Sequence, residues 1–233
     1  MKVILLTGGI GSGKSAVRRI LAAEGVPCYD ADSAVKSFYR DAQSEGVCHE
    51  DAGLWKNAHP FLLPEIERRL GQSFRDADGR FDSRALAGVI FNDAAKLKTV
   101  ESIVFPALAE DFEAWLKSVS SQTCGNAGFS FSSEPFAVFE SATALDKPDF
   151  PRVWDRCLWI DAPKELRIER VMARDSCTRA QVLGRLRLQS GIESHRSEID
   201  AVIVNDCSLE ELKDRVTKVL KTASILSEIP AKI

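Results

Sequence analysis

Residues 8–15 read Gly-Gly-Ile-Gly-Ser-Gly-Lys-Ser and match the pattern G-x-x-x-x-G-K-[ST] at every fixed position. An apolar run at 3–6 precedes the pattern, and Val17, Ile20 and Leu21 follow it at helical spacing. The motif therefore occupies a strand–loop–helix context, which restricts the chain to an α/β fold. Glycines there let the backbone turn tightly and aim successive N–H groups at phosphate oxygens, and the helix adds its positive end. Gly9, Gly11, Ser12 and Gly13 supply the cradle, Lys14 reaches the β- and γ-phosphates, and the Ser15 hydroxyl binds Mg²⁺. A plain glycine-rich turn is the simpler alternative. It requires neither the Lys-Ser pair nor four glycines, Gly8, Gly9, Gly11 and Gly13, so close together.

The periodicity beyond the loop predicts alternating strands and helices, interrupted by a helical block. A helix is expected over 15–24, a strand over 26–29 running into Asp30-Ala31-Asp32, and a second helix over 33–40. From 43 to 118 the alternation stops, and helices are expected over 59–70, 83–92 and 94–116. A Ser-, Gly- and Asn-rich stretch, 118–134, reads as a loop with its tip at 124–128. Strands return at 135–139 and 156–160, followed by helices at 164–174 and 179–189, a fifth strand at 201–204, and a last helix capped by Ser208. Residues after 223 read as a frayed tail.

The inventory implies a five-stranded parallel, doubly wound sheet of phosphate-loop type with a helical substrate-binding insertion and an Arg-rich lid. The expected division is a nucleotide-binding core of 1–40 and 135–225, with the lid near 170–195, and an acceptor-substrate insertion of 43–118. Right-handed crossovers bring the phosphate loop, Asp30 and Asp32, Glu140, Asp146, Asp161 and Asn205 to one sheet edge.

Composition excludes other classes. The 233 residues carry a net charge of -3, so bulk electrostatics suggest no nucleic-acid or membrane partner. No stretch approaches about eighteen consecutive apolar residues, and the short run after Lys2 is a strand rather than a signal peptide. The six cysteines, Cys28, Cys48, Cys124, Cys157, Cys177 and Cys207, form no C-x-x-C pair. Free thiols in a reducing cytosol are expected, and no zinc site. A monomer or weak homo-oligomer is expected.

A phosphate loop does not decide where the γ-phosphate goes. Six arginines between 167 and 187 suggest a lid that closes over a triphosphate, with Arg170 and Arg174 on one helical face. A solvated helix face balanced by Glu165, Glu169 and Asp175 is the simpler account. Transfer to a hydroxyl requires a group to orient or deprotonate it, and Asp32, at the strand end next after the loop, suits that role. One of Asp30 and Asp32 can cap the helix while the other faces the cleft. A GTP-binding switch is a second reading, supported by Asp76-x-x-Gly79 and by Asp146-Lys147-Pro148-Asp149, which approximates N-K-x-D. Another phosphate-loop nucleoside or nucleotide kinase and a non-catalytic nucleotide-binding module are further alternatives.

T-G-G-I-G-S-G-K-S over 7–15, D-A-D over 30–32, and R-x-x-x-R-D over 170–175 leading to a helix that ends in Gln189 resemble the dephospho-coenzyme A kinase family. The resemblance covers nearly the whole chain. Residues 79–86, preceded by Asp78, look like the family's D-G-x-L-x-R-x-x-L stretch; Arg170, Arg174, Asp175, Arg185 and Gln189 look like its lid; Val204-Asn205 is similar to its segment near the adenine. The resemblance implies ATP-dependent phosphorylation of the ribose 3′-hydroxyl of dephospho-coenzyme A, the final step of coenzyme A biosynthesis, in the cytoplasm. It gives Asp32 the catalytic carboxylate role alongside Lys14 and Arg174, makes residues 11–16, through Ala16, the ATP cradle, and turns Arg84 and the insertion toward the acceptor. Phe105-Pro106 stands where the family usually has His-Pro, and its acidic position falls on Glu140 or Asp146.

Overall fold

Residues 2–7 combine β-branched and long apolar side chains with no helix-favouring polar face, and they form the central strand β1 (Lys2–Thr7). Val3, Ile4, Leu5 and Leu6 are all buried, so both faces of the strand are covered. In this computed structural model, residues 1–39, 59–123, 135–187, 189 and 191–222 are described. Cys48, Cys124, Arg40, the expected loop tip at 124–128, the start of the insertion at 43–58 and the tail after 222 lie outside the described residues.

Strands β2 (Cys28–Asp30), β3 (Phe136–Glu140), β4 (Arg156–Asp161) and β5 (Ala201–Val204) complete the sheet in the order β2-β3-β1-β4-β5. The pairings β1 with β3, β1 with β4 and β4 with β5 are parallel, with Ile4 opposite both Val138 and Arg156. A chain that leaves β1 toward β2 on one side and later builds β4 and β5 on the other reverses direction at β1. The carboxyl end of β1 is therefore the switch point where such sheets bind ligands, and residues 8–15 begin there.

Helix α1 (Lys14–Ala23) buries Val17, Ile20 and Leu21 at i, i+3, i+4 spacing, and α8 (Leu209–Thr222) buries Leu212, Val216 and Leu220 in the same core. Each such side chain contributes roughly 1.5–3 kcal/mol by leaving water. Ser208 and Glu211 form a reciprocal cap at the start of α8: the Ser208 hydroxyl accepts from the Glu211 N–H at 3.3 Å and Glu211 accepts from the Ser208 N–H at 3.0 Å. Helices α6 (Lys164–Asp175) and α7 (Arg179–Arg187) share a small apolar cluster of Ile168, Val171 and Val182. Ser176, at φ 50°, ends α6 in the left-handed region and turns the chain into α7.

The chain divides into two compact units, one of Met1–Tyr29, Val119–Pro148 and Arg152–Ile233, the other of Asp30–Ser118 and Asp149–Pro151. The second holds α2 (Ala31–Phe38), α3 (Leu62–Leu70) and α4 (Ser83–Ile90), and α5 (Ala94–Thr123) begins in it. Its core includes Leu62, Leu63, Ile66, Phe74, Leu86, Val104 and Leu108.

The expected loop after α5 starts later than its serines suggest. The stretch 118–123 is helical, because α5 continues to Thr123; the Ser118 hydroxyl donates to the Trp115 carbonyl at 2.7 Å, which accommodates a serine within the helix. Between α7 and β5 lies a 3-10 helix, Ile192–Glu198, that lacks the apolar periodicity of an α-helix. Among the described residues no helix is long and apolar enough to cross a membrane. The four described cysteines are free, and burial pushes the Cys28 and Cys157 thiols up to about 12, which keeps them protonated and unreactive.

Candidate nucleotide and phosphoryl-transfer site

The phosphate loop is held closed by its own backbone. Ser12 N–H donates to the Gly9 carbonyl at 3.1 Å, and the Lys14 ammonium reaches back across the loop to the carbonyls of Gly8 at 2.7 Å and Gly9 at 3.3 Å. Gly8 is the position that admits no side chain: its φ is 141°, and a Cβ there would stand 2.1 Å from the Ile160 carbonyl oxygen of β4. Gly8→Ala is expected to destabilise the fold by about 3 kcal/mol, since the clash is with backbone that cannot turn away. Urea denaturation reads this, and an unshifted midpoint would mean that the loop can move off β4.

Ser15, in the first turn of α1, donates a long hydrogen bond of 3.4 Å to a Glu140 carboxylate oxygen at the end of β3. The other Glu140 oxygen lies 2.7 Å from Arg18 Nε. Glu140 is buried, so the Arg18 guanidinium is what keeps its charge tolerable. Asp146 closes the 3-10 helix Ala144–Asp146, meets His195 Nε2 at 2.9 Å and lines a small cavity with Gly8 and Gly9. Of the two acidic positions left open by the sequence, Glu140 is the one beside the phosphate loop's serine.

On the other side of the loop is a cavity of about 350 Å³, lined by Gly11, Gly13, Lys14, Ser15 and Ala16 together with Arg170, Arg174 and Asn205. Asn205 follows β5, and its side-chain amide donates to the Ser12 carbonyl at 2.8 Å. Arg170 donates to the Asn205 carbonyl at 3.1 Å and to its side-chain oxygen at 3.3 Å. Gly13, at φ 98°, leaves room for this contact, because a Cβ there would stand 1.9 Å from the Asn205 amide nitrogen. Arg174 and Arg185 both bond Asp175, at 2.7 and 2.6 Å, and these two bonds hold its carboxyl at about 2. The first unit thus brings together Gly9, Gly11, Ser12, Gly13, Lys14, Ser15, Ala16, Arg170, Arg174 and Asn205.

Asp32 and Arg84 belong to the second unit. Asp30 is the N-cap of α2, accepting from the Ser33 N–H and hydroxyl, each at 2.9 Å, so the helix begins at Ala31 and not at Ser33. Asp32 sits exposed in the first turn of that helix, and Arg84 sits exposed in the first turn of α4, which Asp82 caps. The features that favoured a GTP switch have other uses. Asp76 accepts the N–H groups of Asp78 and Arg80 in a polar turn, and Asp146 is engaged by His195.

Two contacts went unforeseen. Glu140 was placed on the sheet edge but not against Ser15. Arg167 was counted among the arginines, yet its guanidinium crosses the phosphate loop and donates through Nε to the Ile10 carbonyl at 2.9 Å. Its spacing from Arg170 and Arg174, i, i+3 and i+7, was the available signal, since it puts all three on one face of α6.

A family model described as dephospho-CoA kinase matches residues 2–47 and 56–211. A relative from Geobacter sulfurreducens named dephospho-CoA kinase is 31% identical over 219 residues, covering 94% of this chain and 97% of its own length. One of the same name from Neisseria meningitidis serogroup B is 30% identical over 213 residues, covering 91% and 88%. A crystal structure from Thermus thermophilus superposes with a TM-score of 0.67 at 28% identity, covering 94% of this chain and 96% of that one. With a phosphate loop at the switch point and a family match along nearly its whole length, the chain belongs to the dephospho-CoA kinase family.

Proposed function

We propose that this protein transfers the γ-phosphoryl group of ATP to the 3′-hydroxyl of dephospho-coenzyme A, giving coenzyme A and ADP in the last step of coenzyme A biosynthesis. The observation that carries this reading is the gathering of Lys14, Ser15, Arg170 and Arg174 around one cavity in a member of this family. The hydroxyl oxygen forms a bond to the γ-phosphorus, the bond to the β–γ bridging oxygen breaks, and the hydroxyl proton passes to Asp32. The catalytic residues are Asp32, Lys14 and Arg174. Lys14 meets the charge that develops on the transferring group, and Arg174 adds a second cation from the lid.

ATP lies along Gly9, Gly11, Ser12, Gly13, Lys14, Ser15 and Ala16, with Asn205 near its base and Arg170 closing over it from the lid. Mg²⁺ fits the oxygen donors present, the Ser15 hydroxyl with the Glu140 carboxylate behind it, as a hard cation prefers. Ser15, with Glu140 behind it, would hold the ion, which would supply neutralisation of triphosphate charge. Asp32 and Arg84 contact the acceptor, and the helical insertion of 43–118 houses it, while residues 1–40 and 135–225 form the donor core and about 170–195 the lid. We also read the protein as a cytoplasmic monomer or weak homo-oligomer acting on small molecules, in keeping with its net charge of -3.

The test is ADP release from ATP and from GTP, each with and without dephospho-coenzyme A. ADP that appears only with the acceptor is the expected result. Slow GTP hydrolysis indifferent to the acceptor would sink the proposal.

A further inference from the structure

We propose that Arg167 and Gln189 are positioning residues for phosphoryl transfer: between them they hold both backbone polar groups of Ile10 and so tie the phosphate loop to the lid. The inference deepens the kinase reading above and rests on it.

Three independent contacts converge on Ile10. Its N–H donates to the Gln189 side-chain oxygen at 2.7 Å, from the segment just beyond α7. Its carbonyl accepts from Arg167 Nε at 2.9 Å, from the first turns of α6. Its side chain packs on the apolar cluster of Ile168, Val171 and Val182 that joins α6 to α7. One residue of the loop is thus gripped at N–H, C=O and side chain by three parts of the lid.

Arg167 acts through the loop and not on the nucleotide. Arg170 and Arg174 line the cavity beside Lys14, whereas Arg167 is turned against Gly9 and Ile10. A Cβ on Gly9 would stand 1.9 Å from an Arg167 guanidinium nitrogen, and one on Gly11 would stand 2.5 Å from the Arg167 carbonyl oxygen. The glycines at these two positions are what let α6 lie flush on the loop. Burial depresses the Arg167 pKa, with Asp161 acting in the opposite direction, so a half-buried cation is kept at a place where its bond to Ile10 gives it a fixed orientation.

The chemical consequence is preorganisation. Loop N–H groups stabilise a transferring phosphoryl group only if they already point at it, and small misplacements of such donors are costly in rate. A loop clamped to α6 and the residue after α7 takes its conformation from the lid, so lid placement and donor geometry change together.

The experiment uses the full chain with Arg167→Ala, Gln189→Met and the double variant. Expected for each single variant is a fall in kcat of about tenfold with ATP affinity by calorimetry changed less than about threefold, because the cavity side of the loop is untouched. The double variant is expected to be about as slow as the slower single one, since both act on one residue. In ¹⁵N-isoleucine-labelled protein, Gln189→Met is expected to speed solvent exchange of the Ile10 amide by about tenfold or more. Multiplicative losses in the double variant, an unchanged kcat in both singles, or an Ile10 amide as protected as in the wild type would overturn the proposal. A loss of kcat that merely tracks a lowered Tm would mark Arg167 as structural; Gln189→Met, a near-isosteric change, carries the test if Arg167→Ala does not fold. Amide exchange needs no acceptor, so a wild-type protein inactive on dephospho-coenzyme A would refute the kinase reading while the brace could still be read.

Discussion

Asp32→Asn is expected to slow phosphorylation of the acceptor by about a thousandfold, the scale of a lost general base, while ATP binds within a few-fold of wild type. The local structure makes this substitution unusually informative. Asp30, not Asp32, caps α2, so asparagine at 32 leaves the helix start bonded as before. Asp32 is exposed, so the change opens no cavity. The substitution also removes a favourable charge near the helix N-terminus, which is a small effect at an exposed site. Asp30→Ala supplies the contrast: it removes the cap and is expected to cost about 1 kcal/mol of stability. Steady-state kinetics with an ATP titration separate the two. ATP affinity collapsing along with turnover in Asp32→Asn would reassign that residue to structure.

Lys14→Ala is expected to lower single-turnover phosphoryl transfer by about a thousandfold, at the upper end of what one preorganised cationic donor supplies. The ammonium bridges the carbonyls of Gly8 and Gly9, so its loss also removes a donor that these two carbonyls share. Lys14→Arg is not expected to restore the rate, because a planar fork cannot replace a point charge at that depth. Rapid-quench measurement with saturating ATP checks both, and a loss confined to ATP affinity would move Lys14 out of the catalytic set.

The fold was legible wherever a local rule acts alone. The phosphate loop combines a fixed pattern with a preceding strand, and the Ser208–Glu211 cap is a four-residue signal. Asp30 and Asp32 could not be separated from spacing, because both precede an apolar helical run and only backbone geometry decides which carboxylate turns to the Ser33 N–H. Residues 118–123 misled for a related reason: their serines favour loops in isolation, but α5 was already propagating and the hydroxyl of Ser118 bonds within it. The site divided along the same line. Lys14 and Ser15 are read from the motif itself, whereas the meeting of Ser15 with Glu140 spans 125 positions and that of Ile10 with Gln189 spans 179, and no periodicity encodes either.

Asp175 gives the junction of α6 and α7 a property that its arginines alone would not have. It joins Arg174 of α6 to Arg185 of α7, while Arg179 pairs with Glu165 nearby. On the kinase reading proposed above, a triphosphate drawing on Arg174 competes with a carboxylate already in place, so its electrostatic gain is a difference between two sets of ion pairs. The arginines of these pairs are exposed to solvent, so dissolved salt weakens the link that Asp175 makes between α6 and α7.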